Sequence, residues 1–234
     1  MKSGYIYQLE VPHRETVSVR GFLFGEQRDA RTCAIVGSTR GNEVQQAYIC
    51  ACIVSHLERL ERAGAIARGR SILVIPCINP YSMNILKRFW PADDTDVNRC
   101  FPGDAHGEAC ERIAAAIMRV VSTYTYGVQL CSYHKAGDFL PHVRITRQGP
   151  ISDESLNVSG DFGLPYVLVR EPSTLDTTLL NYAWQAAGTH AFSVYSRATD
   201  RLDERSAREV EDAVIRFLVS RQALTLPADE LVGP

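Results

Sequence analysis

Arg40 and Glu43 stand three positions apart in Gly37-Ser38-Thr39-Arg40-Gly41-Asn42-Glu43. This stretch follows the apolar run Cys33-Ala34-Ile35-Val36 and precedes a long helical pattern, so it reads as strand, tight glycine-containing turn, helix. In α/β sheets, ligands collect at the carboxyl ends of strands, beside helix N-termini. The spacing puts Glu43 in the first helical turn, facing that crevice, with Arg40 in the turn before it. Taken alone, the pair has a plain structural account: a strand-to-helix connection whose acidic first turn favours the helix dipole. A second stretch, Arg88 … Asp96-Val97-Asn98-Arg99, offers guanidinium groups, which fork bidentately onto carboxylates. Its structural account is that Asp96 and Arg99 pair with each other and order a loop. The third group is Cys131, with His134 close by and His142 in Pro141-His142-Val143-Arg144. A cysteine is commonly a small buried core residue, and a lone loop histidine is commonly hydrogen-bonded or exposed. A thiol beside an imidazole is also the pairing a thiol hydrolase needs.

The elements that must position these groups follow from periodicity. Residues 15–24 alternate and read as an edge strand that starts the sheet. Thr32 to Val36 and Ser71 to Pro76 are buried strands. From Asn42, the positions Ala47, Cys50, Ala51, Val54, Leu57 and Leu60 recur at helical spacing, with Gly64 as the stop. Asn79 to Gly103 has no clean period, and a loop of that length in a compact domain is usually functional. Glu108 to Val121 is helical; Gly127 to Ser132, a short stretch after Pro141, Pro165 to Arg170 and His190 to Tyr195 are strands. Leu179 to Ala187 is weakly helical, and Ser206 to Arg221 is a clear amphipathic helix. Alternating strands and helices imply an α/β sandwich with a largely parallel sheet.

The bulk numbers narrow the class. At 234 residues, with 45% apolar and 22% charged residues, one soluble domain with a self-sufficient core is expected. A net charge of -2 offers no basic field for nucleic acid. The N-terminus lacks the apolar core of a leader peptide, and no apolar run approaches a membrane span. Seven cysteines without a Cys-x-x-Cys pair read as reduced, mostly buried thiols of a cytoplasmic protein.

Together these motifs resemble the succinylglutamate desuccinylase/aspartoacylase family, which is similar to zinc carboxypeptidases. The family's first metal motif is His-Gly-x-Glu, both ligands binding zinc; this chain has Arg40 where the His belongs and keeps Glu43. Asn79-Pro80 … Arg88 … Asp96-Val97-Asn98-Arg99-Cys100-Phe101-Pro102-Gly103 matches the family's Asn-Pro, arginine and Asp-Leu-Asn-Arg-x-Phe-Pro-Gly. The resemblance implies that Arg88, Asn98 and Arg99 hold the substrate's carboxylate and reacting carbonyl. Gln129-Leu130-Cys131 stands at the family's Asp-Leu-His, so Cys131 takes the second histidine's place. Tyr195 stands where the family has the Glu that activates the zinc-bound water.

The implied fold is a three-layer α/β sandwich, a mixed and largely parallel sheet flanked by helices, as in zinc carboxypeptidases. It implies one catalytic-type domain over residues 1–224 and a loose tail over 225–234. The chain stops before the additional C-terminal β-domain of aspartoacylase could form. The implied activity is zinc-dependent hydrolysis of N-acyl amino acids or small peptide-like substrates, with zinc at Glu43 and Cys131.

Physical chemistry argues against that route here. A protonated arginine cannot ligate zinc, a catalytic zinc needs three protein ligands and an activated water, and a tyrosine of pKa about 10 is a poor base. The alternative is a metal-free relative that binds a small carboxylate ligand or a partner. In it, Arg40 would pair with Glu43 and stand where the metal stands in the family.

Overall fold

A sheet that hides both faces needs helices on both, and the computed structural model has that form. It describes residues 1–10, 16–26, 28–133, 139–148, 153–197 and 201–225. Eight strands form one sheet: β1 (Lys2–Leu9), β2 (Val17–Phe24), β3 (Ala30–Ser38), β4 (Arg70–Cys77), β5 (Tyr126–Cys131), β6 (His142–Thr146), β7 (Val167–Arg170) and β8 (His190–Tyr195). Their order is β1-β2-β4-β3-β5-β8-β6-β7. The central strands β4, β3, β5 and β8 are mutually parallel. The antiparallel pairs are β1 with β2, β2 with β4, and β6 with β8, while β7 runs parallel to β6.

The helices are α1 (Val44–Arg62), α2 (Pro80–Met83), α3 (Ala109–Val121), α4 (Asp153–Gly160), α5 (Leu180–Ala186) and α6 (Glu204–Ser220). Side chains alternate across a strand, so β3 splits its apolar residues between two cores. Cys33 and Ile35 join Ile49, Ile53 and Leu57 of α1 and Val210, Val214 and Phe217 of α6. Ala34 and Val36 join Ile113 and Ile117 of α3 and Leu180 and Trp184 of α5. This is the three-layer α/β sandwich, with α1 and α6 on one face and α3 and α5 on the other. Helix α1 ends where expected: Gly64 follows the Ala63 C-cap with φ +74°, a left-handed turn that glycine takes without penalty. Helix α6 starts at Asp203, whose carboxylate accepts from Ser206 N at 3.0 Å.

Two expectations change. Residues 15–24 do not form the edge, because β1 pairs along the outer side of β2. Strand β1 escapes a pattern search because its first four residues are all exposed and carry no apolar alternation. The five expected buried strands do share one sheet, but β7 does not point its carboxyl end toward Glu43. The chain turns back at β6, antiparallel to β8, and β7 inherits that direction. The expected loose tail lies outside the described residues beyond Thr225, whose N–H bonds to Ala65 O at 2.9 Å.

Candidate functional site

The carboxyl ends of β3, β5 and β8 open onto a cleft of about 350 Å³. Strand alternation builds its floor. Val128 and Leu130 of β5, Phe192 and Val194 of β8, and Val143 and Ile145 of β6 all enter the α1/α6 core. Their alternates Gln129, Cys131, Ser193, Tyr195, Arg144 and Thr146 line the cleft on the opposite face.

One corner of the cleft comes from the turn after β3. Gly41 packs so closely on α2 and the loop following it that a Cβ there would lie 2.2 Å from Lys87 O and 2.4 Å from Ser82 C. Its N–H also donates to Arg88 O at 3.2 Å, which docks the turn against the loop that carries Arg88. Glu43 is the residue before α1 rather than in its first turn, and its side chain does not cap the helix. The carboxylate turns back instead. Oε2 accepts from Thr39 N (2.8 Å), Thr39 Oγ1 (3.1 Å) and Arg40 N (3.0 Å), and Oε1 accepts from Arg40 Nη1 (3.2 Å).

The expected Arg40–Glu43 pair is therefore present, but Asp96 is the larger partner. Arg40 Nε lies 3.1 Å from both Asp96 oxygens, and Nη2 lies 2.9 Å from Oδ2. Burial works against the Arg40 charge, yet Glu43 and Asp96 outweigh it and raise the pKa above its usual value. Asp96 also accepts from Asn98 N at 3.1 Å, which starts the turn Val97–Arg99. The expected Asp96–Arg99 pair is present at 3.7 Å between Arg99 Nε and Asp96 Oδ2, and Arg40 joins it at the closer distance of 2.9 Å.

The residues expected to hold a ligand line this same cleft: Arg40, Arg88, Asn98 and Arg99. Buried Asn98 is fixed from the floor, its Oδ1 accepting from Gln129 Nε2 at 3.2 Å. Arg99 donates to Leu175 O at 2.9 Å, and 45% of its side chain is exposed. Arg88 differs from both. Its Nε is buried and has no hydrogen-bond partner among the described residues. Burial, then the nearby charge of Arg40, lower its pKa.

Cys131 and Tyr195 also line the cleft, at the ends of β5 and β8. Burial pushes the Cys131 thiol up to about 11, so it stays protonated at neutral pH. Burial likewise raises the Tyr195 phenol far above its ordinary value, which removes it as a base. Its ring serves packing: His142 stacks on it at 4.7 Å and 7°, and the Arg144 guanidinium carbon sits 4.4 Å from its centroid. His142 bonds Leu140 O through Nδ1 (3.0 Å), and its Nε2 lies 3.3 Å from Tyr133 Oη. It is absent from the cleft lining. His134 lies outside the described residues, so the Cys131–His134 pairing receives no support.

These residues do not fit a zinc ion. Arg40 stands at one ligand position, and both Glu43 oxygens already accept hydrogen bonds. Among the described residues, no three His, Cys, Asp or Glu side chains gather to hold a metal.

Sequence reasoning passed over the opposite wall: Arg144 on β6, Arg170 at the end of β7, and Asp176, Asn181 and Ser132. The signal was available in Val143-Arg144-Ile145, where a charged residue interrupts an apolar strand and so must face something polar.

Comparison with known proteins agrees with this geometry. Residues 29–221 match the succinylglutamate desuccinylase/aspartoacylase catalytic domain family. No functionally curated protein matches the sequence. Among solved structures, an aspartoacylase family protein from Mesorhizobium loti is 25% identical with a TM-score of 0.74, covering 97% of this chain and 68% of its own. A succinylglutamate desuccinylase from Silicibacter sp. TM1040 is 16% identical with a TM-score of 0.80, over 97% and 68%. The product-bound ectoine utilization protein EutE from Ruegeria pomeroyi is 17% identical with a TM-score of 0.78, again over 97% and 68%.

Proposed function

The chain belongs to the succinylglutamate desuccinylase/aspartoacylase family, and on that premise we propose that it binds a small carboxylate-bearing molecule of the N-acyl amino acid kind without the family's zinc hydrolysis. The observation that carries this reading is the buried Nε of Arg88. Arg88 lines an arginine-rich cleft, and its Nε finds no acceptor among the described residues. A ligand carboxylate satisfies it, since a guanidinium is built to fork onto one. Asn98, held by Gln129, and Arg99 supply neighbouring donors.

Arg40 takes over the charge balance at Glu43 that zinc provides in the family. A guanidinium can polarise a carbonyl oxygen, but it cannot deliver hydroxide as zinc does. Tyr195, buried and protonated, does not replace the missing base. The site is assigned to residues 1–224 acting as one catalytic-type domain. A net charge of -2 supplies no basic field for nucleic acid. Among the described residues, no helix is long and apolar enough to cross a membrane. Seven free thiols support a reducing compartment such as the cytoplasm.

Elemental analysis of purified protein, paired with calorimetric titration of an N-acetyl amino acid, tests the reading. Substoichiometric zinc and a binding isotherm without product are expected. One equivalent of zinc with chelator-sensitive hydrolysis would restore the standard mechanism. In the variant Arg40→His with Cys131→His, zinc uptake is expected to appear while hydrolysis stays negligible, because no base is regained. Efficient turnover in that variant would show that the base had been wrongly judged missing.

A further inference from the structure

We propose that the edge strand β7 is a self-pairing surface: residues 166–170 of two copies of this chain join antiparallel about a twofold axis, Leu168 against Leu168, and unite the two sheets edge to edge. The proposal is independent of what the cleft binds.

Strand β7 ends the sheet. Its ladder to β6 uses alternate residues: Val143 N donates to Tyr166 O at 3.0 Å, and Arg147 N donates to Arg170 O at 2.9 Å. The backbone N–H and C=O groups of Val167 and Val169 therefore point outward, and among the described residues no strand pairs with them there.

The side chains are left open too. Tyr166, Val167, Leu168 and Val169 are 52%, 36%, 44% and 46% exposed. Val167 and Val169 stand beside Val143 and Ile145 on the α1/α6 face, and Leu168 stands beside Arg144 on the cleft face. An apolar edge strand bare on both faces is a template for another strand. The opposite edge is guarded. Strand β1 carries Lys2, shifts its register between Tyr5 and Tyr7, and has the Arg20 guanidinium over its Tyr5 ring at 5.2 Å. Residues 166–169 hold no charge and no glycine, and β7 pairs with β6 without a register shift.

The segment is complementary to itself, which is what a twofold interface requires. Pro165 and Pro172 bound it, and proline has no N–H to add to a ladder. Between them, one antiparallel register uses every outward group of Val167 and Val169. Val167 faces Val169 of the partner copy, Val169 faces its Val167, and each pair exchanges both backbone hydrogen bonds. Leu168 meets Leu168 on the axis, at a non-hydrogen-bonded position where side chains are closest. Tyr166 meets Arg170 of the partner copy on the same face, an aromatic ring against a guanidinium. Sliding one strand by two residues sets Leu168 against Arg170, or sets Val169 against Pro165 with a bond lost. Arg170 lines the cleft and pairs with Asp176 at 3.0 Å, so the Tyr166 of each copy comes to rest at the rim of the other's cleft.

The test is sedimentation equilibrium of the natural chain at micromolar concentration, where a dimer is expected. Leu168→Lys sets two like charges on the axis and should raise the dissociation constant about a hundredfold or more. Val169→Pro removes an outward N–H without touching the bonds to β6 and should raise it about tenfold or more. Both variants should keep the circular dichroism spectrum of the natural protein, since neither side chain is buried in the single chain. Disulfide trapping under oxidised glutathione reads the register: Leu168→Cys should cross-link two copies, and Val167→Cys should do so far more slowly, because each Val167 faces a Val169. A monomer at micromolar concentration, a dimer that survives both Leu168→Lys and Val169→Pro, or equal trapping of the two cysteine variants overturns the proposal.

Discussion

The Arg40 corner and the Arg144 wall face each other across one cleft and solve the problem of buried charge in opposite ways. At the corner, Arg40 meets Asp96 through three contacts and Glu43 through a fourth, and Glu43 collects three more donors from the turn. The charges at this corner are balanced within the chain. At the wall, and at Arg88 beside the corner, charged donors are buried and left unmatched among the described residues. The difference separates two roles that a list of cleft arginines would merge. Arg40 is held by two carboxylates of the chain itself, while the Nε of Arg88 and of Arg144 has no acceptor among the described residues.

The largest expected effect follows from breaking the saturated side. Arg40→Ala strands two carboxylates whose side chains are 7% and 10% exposed. A loss of about 3–5 kcal/mol in urea unfolding is expected, the scale for removing one partner of a buried ion pair. Replacing all three charges together, Arg40→Met with Glu43→Gln and Asp96→Asn, should recover much of it. A loss under about 1 kcal/mol in the single variant would mean that the corner is wetter than its hydrogen bonds suggest.

Next comes the unsaturated side, where the cost moves from stability to affinity. Arg88→Ala should weaken a carboxylate ligand by about 1.5–3 kcal/mol and leave the unfolding midpoint unchanged or slightly raised. Arg99→Ala should cost less, up to about 1 kcal/mol, because Arg99 is half exposed and already bonded to Leu175 O. Equal losses in the two variants would erase the distinction between them.

The smallest effect is a pH dependence behind the wall. Burial, and further along the positive charge of Arg144, lower the His142 pKa, against the bond from Leu140 O that raises it. A histidine held neutral in the fold gains its proton more readily when unfolded. Stability is therefore full above the unfolded value near 6.5 and declines as pH falls through it toward the folded value. His142→Gln should flatten that part of the stability curve. An unchanged slope would assign it to other groups.

Much of this was legible in the chain. The strand-turn-helix around Gly37–Glu43 and the loop holding Arg88, Asn98 and Arg99 came from motifs whose residue types carry their own chemistry, and both fell on the cleft. The Arg40–Glu43 pair was legible because three residues across a turn lie within reach of a long side chain. Its stronger tie to Asp96 was not, because that contact spans 56 positions and depends on how Gly41 docks one loop on the other. Strand β1 was hidden by its exposed, unpatterned side chains, and the direction of β7 by the turn-back at β6. The place of Arg144 was legible in the strand alternation of Val143-Arg144-Ile145, which sets it on the cleft face.

The contact between Arg144 and Tyr195 bears on how quickly and at what entropic cost the cleft fills. A free arginine samples many rotamers, and fixing one on binding costs roughly 0.5–1.5 kcal/mol. Here the guanidinium already lies on an aromatic ring that is itself wedged against His142. Little conformational freedom is left for a ligand to remove. Tyr195 thereby acts as a template: it sets the plane in which the cation waits, so that a ligand of the wrong length finds no adaptable arm to meet it.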